Sequence, residues 1–152
     1  MRGILTIAIL TVAIPVRPDR HAPPPAPPAP LAQIQGSWQM VDYKLAGKMM
    51  AQSTIDNISI TITEDEMRLV NKNAKANGGV LYSFSFDPSK SPATFDFKGK
   101  TLSKIGYTGI LKVEGDLMTM SFVREGIERP KQFDVPMDGK TSYLWQFRRI
   151  GK

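Results

Sequence analysis

From Gln35 onward, apolar residues recur at every second position in short runs, and residues that turn the backbone separate the runs. Ile58, Ile60 and Ile62 alternate with Ser59, Thr61 and Thr63, a period that sorts the two sets onto opposite faces of a strand. Gly36–Tyr43 reads as a strand before it, and Met67–Val70 as one after the acidic turn Glu64-Asp65-Glu66. Asn77-Gly78 favours a tight hairpin, because both residues tolerate positive φ. In Val80–Phe86, Tyr82, Phe84 and Phe86 share a face. Asp87-Pro88 turns the chain into Ala93–Phe97, where Phe95 and Phe97 are in phase, and Lys98-Gly99-Lys100 turns it again. Tyr107–Val113 and Leu117–Phe122 flank Glu114-Gly115-Asp116 as a hairpin. Asp138-Gly139 leads into Ser142–Arg149, with Tyr143, Trp145 and Phe147 in phase.

That makes about eight strands. No segment sustains helical spacing, although Gly47–Asp56 has room for a turn of helix. The pattern predicts an all-β domain, an antiparallel up-and-down barrel whose closure removes the sheet edges, with a two-sheet sandwich as the alternative.

The first residues follow another rule. Arg2 precedes a nearly continuous apolar run, Ile4 to Val16, which reads as the n-region and h-region of a secretory signal over residues 1–16. A helix of that length spans roughly 20 Å, short of the ~30 Å hydrocarbon core of a bilayer. Residues 17–33 are rich in proline and alanine, a composition that favours extended polyproline II and reads as a semi-rigid linker. The folded domain is expected over 34–152, the protein being exported to the periplasm, cell envelope or exterior, without a transmembrane span in its mature form.

Composition removes several chemistries. The chain has no cysteine, and its single histidine, His21, lies in the linker. A Ser-His-Asp or Cys-His triad and a His/Cys zinc site are therefore excluded from the domain. The acidic clusters (Glu64–Glu66, Glu114 with Asp116, Glu125 with Glu128) all fall in expected turns, where carboxylates are normally just solvated. Glu64–Glu66 lacks the spaced ligand loop of a calcium site, and Met49-Met50 is too small a cluster for a thioether copper site. No enzyme activity, metal or cofactor is expected. The net charge is +6, of which Arg2, Arg17, Arg20 and Asp19 supply +2, leaving +4 on the domain. This mild excess, with Lys98, Lys100 and Lys104, suits an anionic envelope polymer better than nucleic acid, since the aromatics alternate onto one face as a core does.

Two resemblances follow. Gly36-Ser37-Trp38 opening the first strand and Arg148-Arg149 ending the last resemble the lipocalin arrangement, in which a GxW tryptophan at the base of the barrel is covered by a basic side chain. Parity places Arg149 in phase with Trp145 and Phe147, so Arg149 is the expected cap and Arg148 the fallback. In addition, Gln35-Gly36-Ser37-Trp38-Gln39-Met40-Val41, Asp87 to Pro92, Gly109 to Asp116, Glu128-Arg129-Pro130 with Phe133, and the ending Phe147-Arg148-Arg149 resemble a family of small exported domains that recur in planctomycete bacteria and have no assigned function. The resemblance spans nearly all of residues 34–150. It implies a lipocalin-like fold and brings no catalytic residues. One departure is Ser121, where members of that family often carry cysteine.

Small eight-stranded barrels either fill their interior with side chains or hold one small ligand. The leading expectation is a binding barrel for a small apolar molecule, lined by Met40, Ile60, Tyr82, Phe84, Phe97, Met118, Met120 and Trp145. The same residues suit a packed core, and methionine fills cores more often than it marks a site. The competing expectation is a solid-core module that binds an envelope protein or anionic polymer through loops and basic patches. Glu128, Arg129 and Pro130 then form either a recognition knob or, through a carboxylate partner for Arg129, a clasp holding the loop to the barrel; the clasp is favoured.

Overall fold

Strand follows strand because β-branched and aromatic residues alternate with polar ones, and each run ends at a turn former. The computed structural model describes residues 29–74, 79–101, 104–134 and 141–151. The signal-like segment, the linker up to residue 28, and the Asn77-Gly78 and Asp138-Gly139 turns lie outside them. The elements in chain order are helix α1 (Ala29–Ile34), strands β1 (Gly36–Leu45) and β2 (Lys48–Met49), helix α2 (Gln52–Ile55), then β3 (Ile58–Thr63), β4 (Glu66–Asn71), β5 (Val80–Asp87), β6 (Ala93–Gly99), β7 (Gly106–Glu114), β8 (Leu117–Arg124) and β9 (Ser142–Arg149).

All pairings are antiparallel. Strands β3 to β9 pair in sequence order, β1 pairs β3 on one side and β9 on the other, and β2 forms a small hairpin with β1 alone. Eight strands thus close into an up-and-down barrel, and the sandwich is ruled out. Closure runs from Trp38↔Arg149 to Leu45↔Tyr143, interrupted by a bulge at Val41. The bulge changes the parity of β1: Met40 faces Phe147, and beyond the extra residue Tyr43 faces Trp145.

One end of the barrel is sealed. The turns between β3 and β4 and between β7 and β8 are short, and α1 packs there, with Ile34 fully buried and Leu31 half-buried against the core. Residues 29–33, expected as linker, are thus helical and belong to the barrel's closure. Trp38 Nε1 donates to the Ile34 carbonyl at 2.9 Å, which fixes α1 to the start of β1. At the other end β1 and β3 part after Gln39↔Ser59, and α2 fills the notch with the buried Ile55.

The interior is packed. Trp38, Met67, Met118, Met120 and Phe147 expose none of their surface, and Met40, Ile60, Ile62, Phe95 and Phe122 about a hundredth. A void large enough for one water would expose the side chains around it, so no such void borders the five that expose nothing. Gly109 shows how closely the layers approach: a Cβ there would lie 2.4 Å from the Ser121 carbonyl oxygen and 2.8 Å from Phe95 Cε1. A smaller apolar patch, Ile110, Val123 and Leu144, is buried on the outer face of β7, β8 and β9.

Candidate functional site

The sealed end is built on Trp38. The Arg149 guanidinium lies 4.1 Å from the centre of the Trp38 ring. The same group donates from Nη1 to the Gln35 carbonyl at 2.7 Å and from Nη2 to the Gln33 carbonyl. Gly36, at φ +107°, leaves room for it: a Cβ there would meet Arg149 Nη1 at 3.3 Å. Arg148 faces outward, 3.6 Å from Asp116. This end therefore ties both ends of the folded chain together, and it leaves a cleft of about 260 Å³ beside α1, between Gln33, Ile34, Phe86, Pro92 and Leu111.

The eight side chains expected to line a cavity fall into two groups. Met40, Ile60, Met118 and Met120 lie in the packed interior, as do Phe84 and Phe97, each 3% exposed. Tyr82 and Trp145 lie nearer the other end, Tyr82 half-buried and Trp145 8% exposed.

That other end gathers every tyrosine of the chain. Tyr43 comes from the upper part of β1, and Tyr82, Tyr107 and Tyr143 from the beginnings of β5, β7 and β9. Strands of alternating direction bring these positions to one rim, and all four side chains are half-buried against the core. Their rings join one aromatic network: Tyr107 stacks on Phe97 at 4.7 Å, Tyr143 on Phe122 at 4.8 Å, and Tyr82 meets Phe97 edge-on at 5.2 Å. Tyr107 and Tyr143 pack edge-to-face at 5.9 Å, and Tyr43 meets Trp145 the same way at 5.8 Å.

The hydroxyls feel one another. Burial pushes the Tyr43, Tyr82 and Tyr143 phenols above the ordinary tyrosine range, and the proximity of Tyr107 adds to the shift of each. The Arg124 guanidinium opposes it at Tyr143, where it lies close enough to hydrogen-bond the hydroxyl. Beneath this ring, Trp145 Nε1 is buried and meets no acceptor in hydrogen-bonding geometry, although the Tyr43 hydroxyl is near enough to be perturbed by it. An indole N–H can only donate, and leaving it unmatched costs about 1–3 kcal/mol.

The chain matches no family model, no curated protein and no solved structure. Its chemistry rests on its own geometry.

The Glu128-Arg129-Pro130 segment lies on the barrel wall. Arg129 Nη1 donates to the Phe95 and Gly109 carbonyls at 2.9 and 2.7 Å, and Nη2 contacts Asp96 Oδ1 at 2.8 Å. The loop after β8 is thereby strapped across β6 and β7. Glu128 pairs with Lys131 at 2.8 Å, and Pro130 helps line a groove of about 480 Å³ under the strap, beside Val123, Ile127 and Ser142. Two of the three lysines expected to attract polymers have internal partners: Lys98 lies 3.7 Å from Glu125, and Lys100 pairs with Glu66.

Sequence reading missed Tyr43, Tyr107, Tyr143, Phe122 and Arg124 as site residues. For Tyr107 and Tyr143 the signal was present, because both open strands that follow the longer loops. For Tyr43 it was masked by the bulge.

Proposed function

We propose that this chain is an exported, lipocalin-like binding module that takes a small apolar ligand at the tyrosine-ringed end of its barrel, not in the interior. The observation that carries this reading is the buried, unmatched N–H of Trp145 beneath four partly exposed phenols. An apolar floor with a few convergent polar groups is the usual make-up of a small-molecule site. The N-terminal signal pattern supports export, and the resemblance to exported planctomycete domains agrees with it. A binding role suits the domain better than catalysis, because the acidic clusters occupy surface turns and Glu66 is paired with Lys100.

The test is native mass spectrometry of the secreted protein, isolated without detergent. An added mass, lost on denaturation and absent from Tyr107→Ala, is the expected result. A bare mass that stays bare with a panel of small aromatic compounds sinks the proposal. A second reading, a docking module for an envelope protein or anionic polymer, draws on the outer groove, where buried Ser142 Oγ has no hydrogen-bond partner. It predicts that Arg129→Glu abolishes capture of the partner and leaves the tyrosine end unaffected.

A further inference from the structure

The tyrosine end has a donor bias that narrows the class of ligand. Trp145 Nε1 is donor-only and more than nine-tenths buried, with the Tyr43 hydroxyl near it but outside hydrogen-bonding geometry. Arg124, paired with Tyr107 across β7 and β8, brings a second donor-only group to the same rim, beside the Tyr143 hydroxyl. Among the described residues no carboxylate is paired with Arg124, whereas the neighbouring Lys98 and Lys100 have one each. The tyrosine hydroxyls can donate or accept. The floor beneath, formed by Phe97, Phe122 and Trp145, presents stacked and edge-on rings.

A cationic guest fits this set badly. The rim already holds a guanidinium, and the indole N–H would point at a group unable to accept. A neutral aliphatic guest would offer the N–H no acceptor beyond the Tyr43 hydroxyl. A planar molecule bearing a carboxylate answers both needs, since its ring stacks with the tyrosines and its oxygens accept from Trp145 and Arg124. Resting on the binding reading above, we propose that the tyrosine end of the barrel recognises a small aromatic carboxylate, with Trp145 and Arg124 as the groups that select the anion.

The two tryptophans allow a direct test in the full chain. Each gives one indole N–H signal in a 15N correlation spectrum, assigned with Trp145→Phe. Trp38 is already bonded to the Ile34 carbonyl and serves as the internal reference. Benzoate, titrated to millimolar concentration, should move the Trp145 signal downfield and leave that of Trp38 in place. Benzyl alcohol should bind about fivefold more weakly, and Arg124→Gln should remove that preference. If benzyl alcohol and benzoate shift Trp145 equally, and Arg124→Gln changes neither, the carboxylate assignment is overturned while the tyrosine end stands as a binding site. If neither compound moves the Trp145 signal, both readings fall.

Discussion

At Trp38 three interactions meet: burial in the core, a hydrogen bond from its N–H to α1, and a guanidinium over its ring. Arg149 supplies the last and adds bonds to two carbonyls. A cation over an aromatic face contributes about 0.5–2 kcal/mol, and the bonds from a charged donor add to it. Arg149→Ala should therefore destabilise the protein by about 2–4 kcal/mol. Arg148→Ala, which loses only an exposed contact with Asp116, should cost less than about 1 kcal/mol. Urea unfolding of the two variants decides it; equal midpoints would show that the cap carries no stability. The choice between these neighbours was legible in the sequence, because strand parity is strict near the end of β9. The role of Tyr43 was not. Simple alternation from Trp38 and Met40 sends Asp42 inward, and only the extra residue at Val41 reverses it. A bulge leaves no compositional mark in Gln39-Met40-Val41-Asp42.

Among the elements, the strap after β8 depends most on one residue. Arg129 reaches two strands at once, and beside Asp96 its partners are two backbone carbonyls that side-chain substitutions cannot remove. Arg129→Gln should loosen the strap without opening the barrel. Trypsin cleavage after Arg124 and Lys131 is expected to rise about tenfold, with little change in the global unfolding midpoint, as for a local opening. Unaltered cleavage would mean that the apolar patch of Ile110, Val123 and Leu144 holds the strap by itself. The strand boundaries were readable to within a residue or two, since Gly, Asp and Pro punctuate them. The helices were less so. α2 is four residues long, too short for a period, and α1 lies at the end of a proline-rich run that reads as extended. Both owe their structure to the apolar side chains they insert into the barrel, Ile55 and Ile34, a tertiary effect without a local signature.

Over the whole molecule, eight strands close around a filled interior, and the tyrosine rim stands at one end of it. The lower barrel could be read from the chain because each strand carries its own share of core. The tyrosine rim could not, for it is assembled from four positions spread over a hundred residues and depends on the stagger of strands around the closed sheet. Its titration gives a prediction at this scale. Burial holds the Tyr43, Tyr82 and Tyr143 phenols above the ordinary tyrosine range. The folded state therefore holds its protons longer than the unfolded chain does, and stability falls as pH rises above about 10. Thermal unfolding from pH 9 to 11 should show this loss, and the Tyr43→Phe, Tyr82→Phe, Tyr143→Phe combination should flatten it relative to the wild-type protein. An identical slope in the combined variant would assign the loss to lysines instead.

Closure by Arg149 also gives the barrel a handle. The guanidinium binds the carbonyls of Gln33 and Gln35, and the Ile150 N–H binds that of Ser37, so the chain enters and leaves the barrel at the same pole. Anything attached before α1 or after β9 grips the domain from that side. A fluorescent label, a surface anchor or a fusion partner can thus be placed at either terminus while the aromatic face stays turned toward the solution.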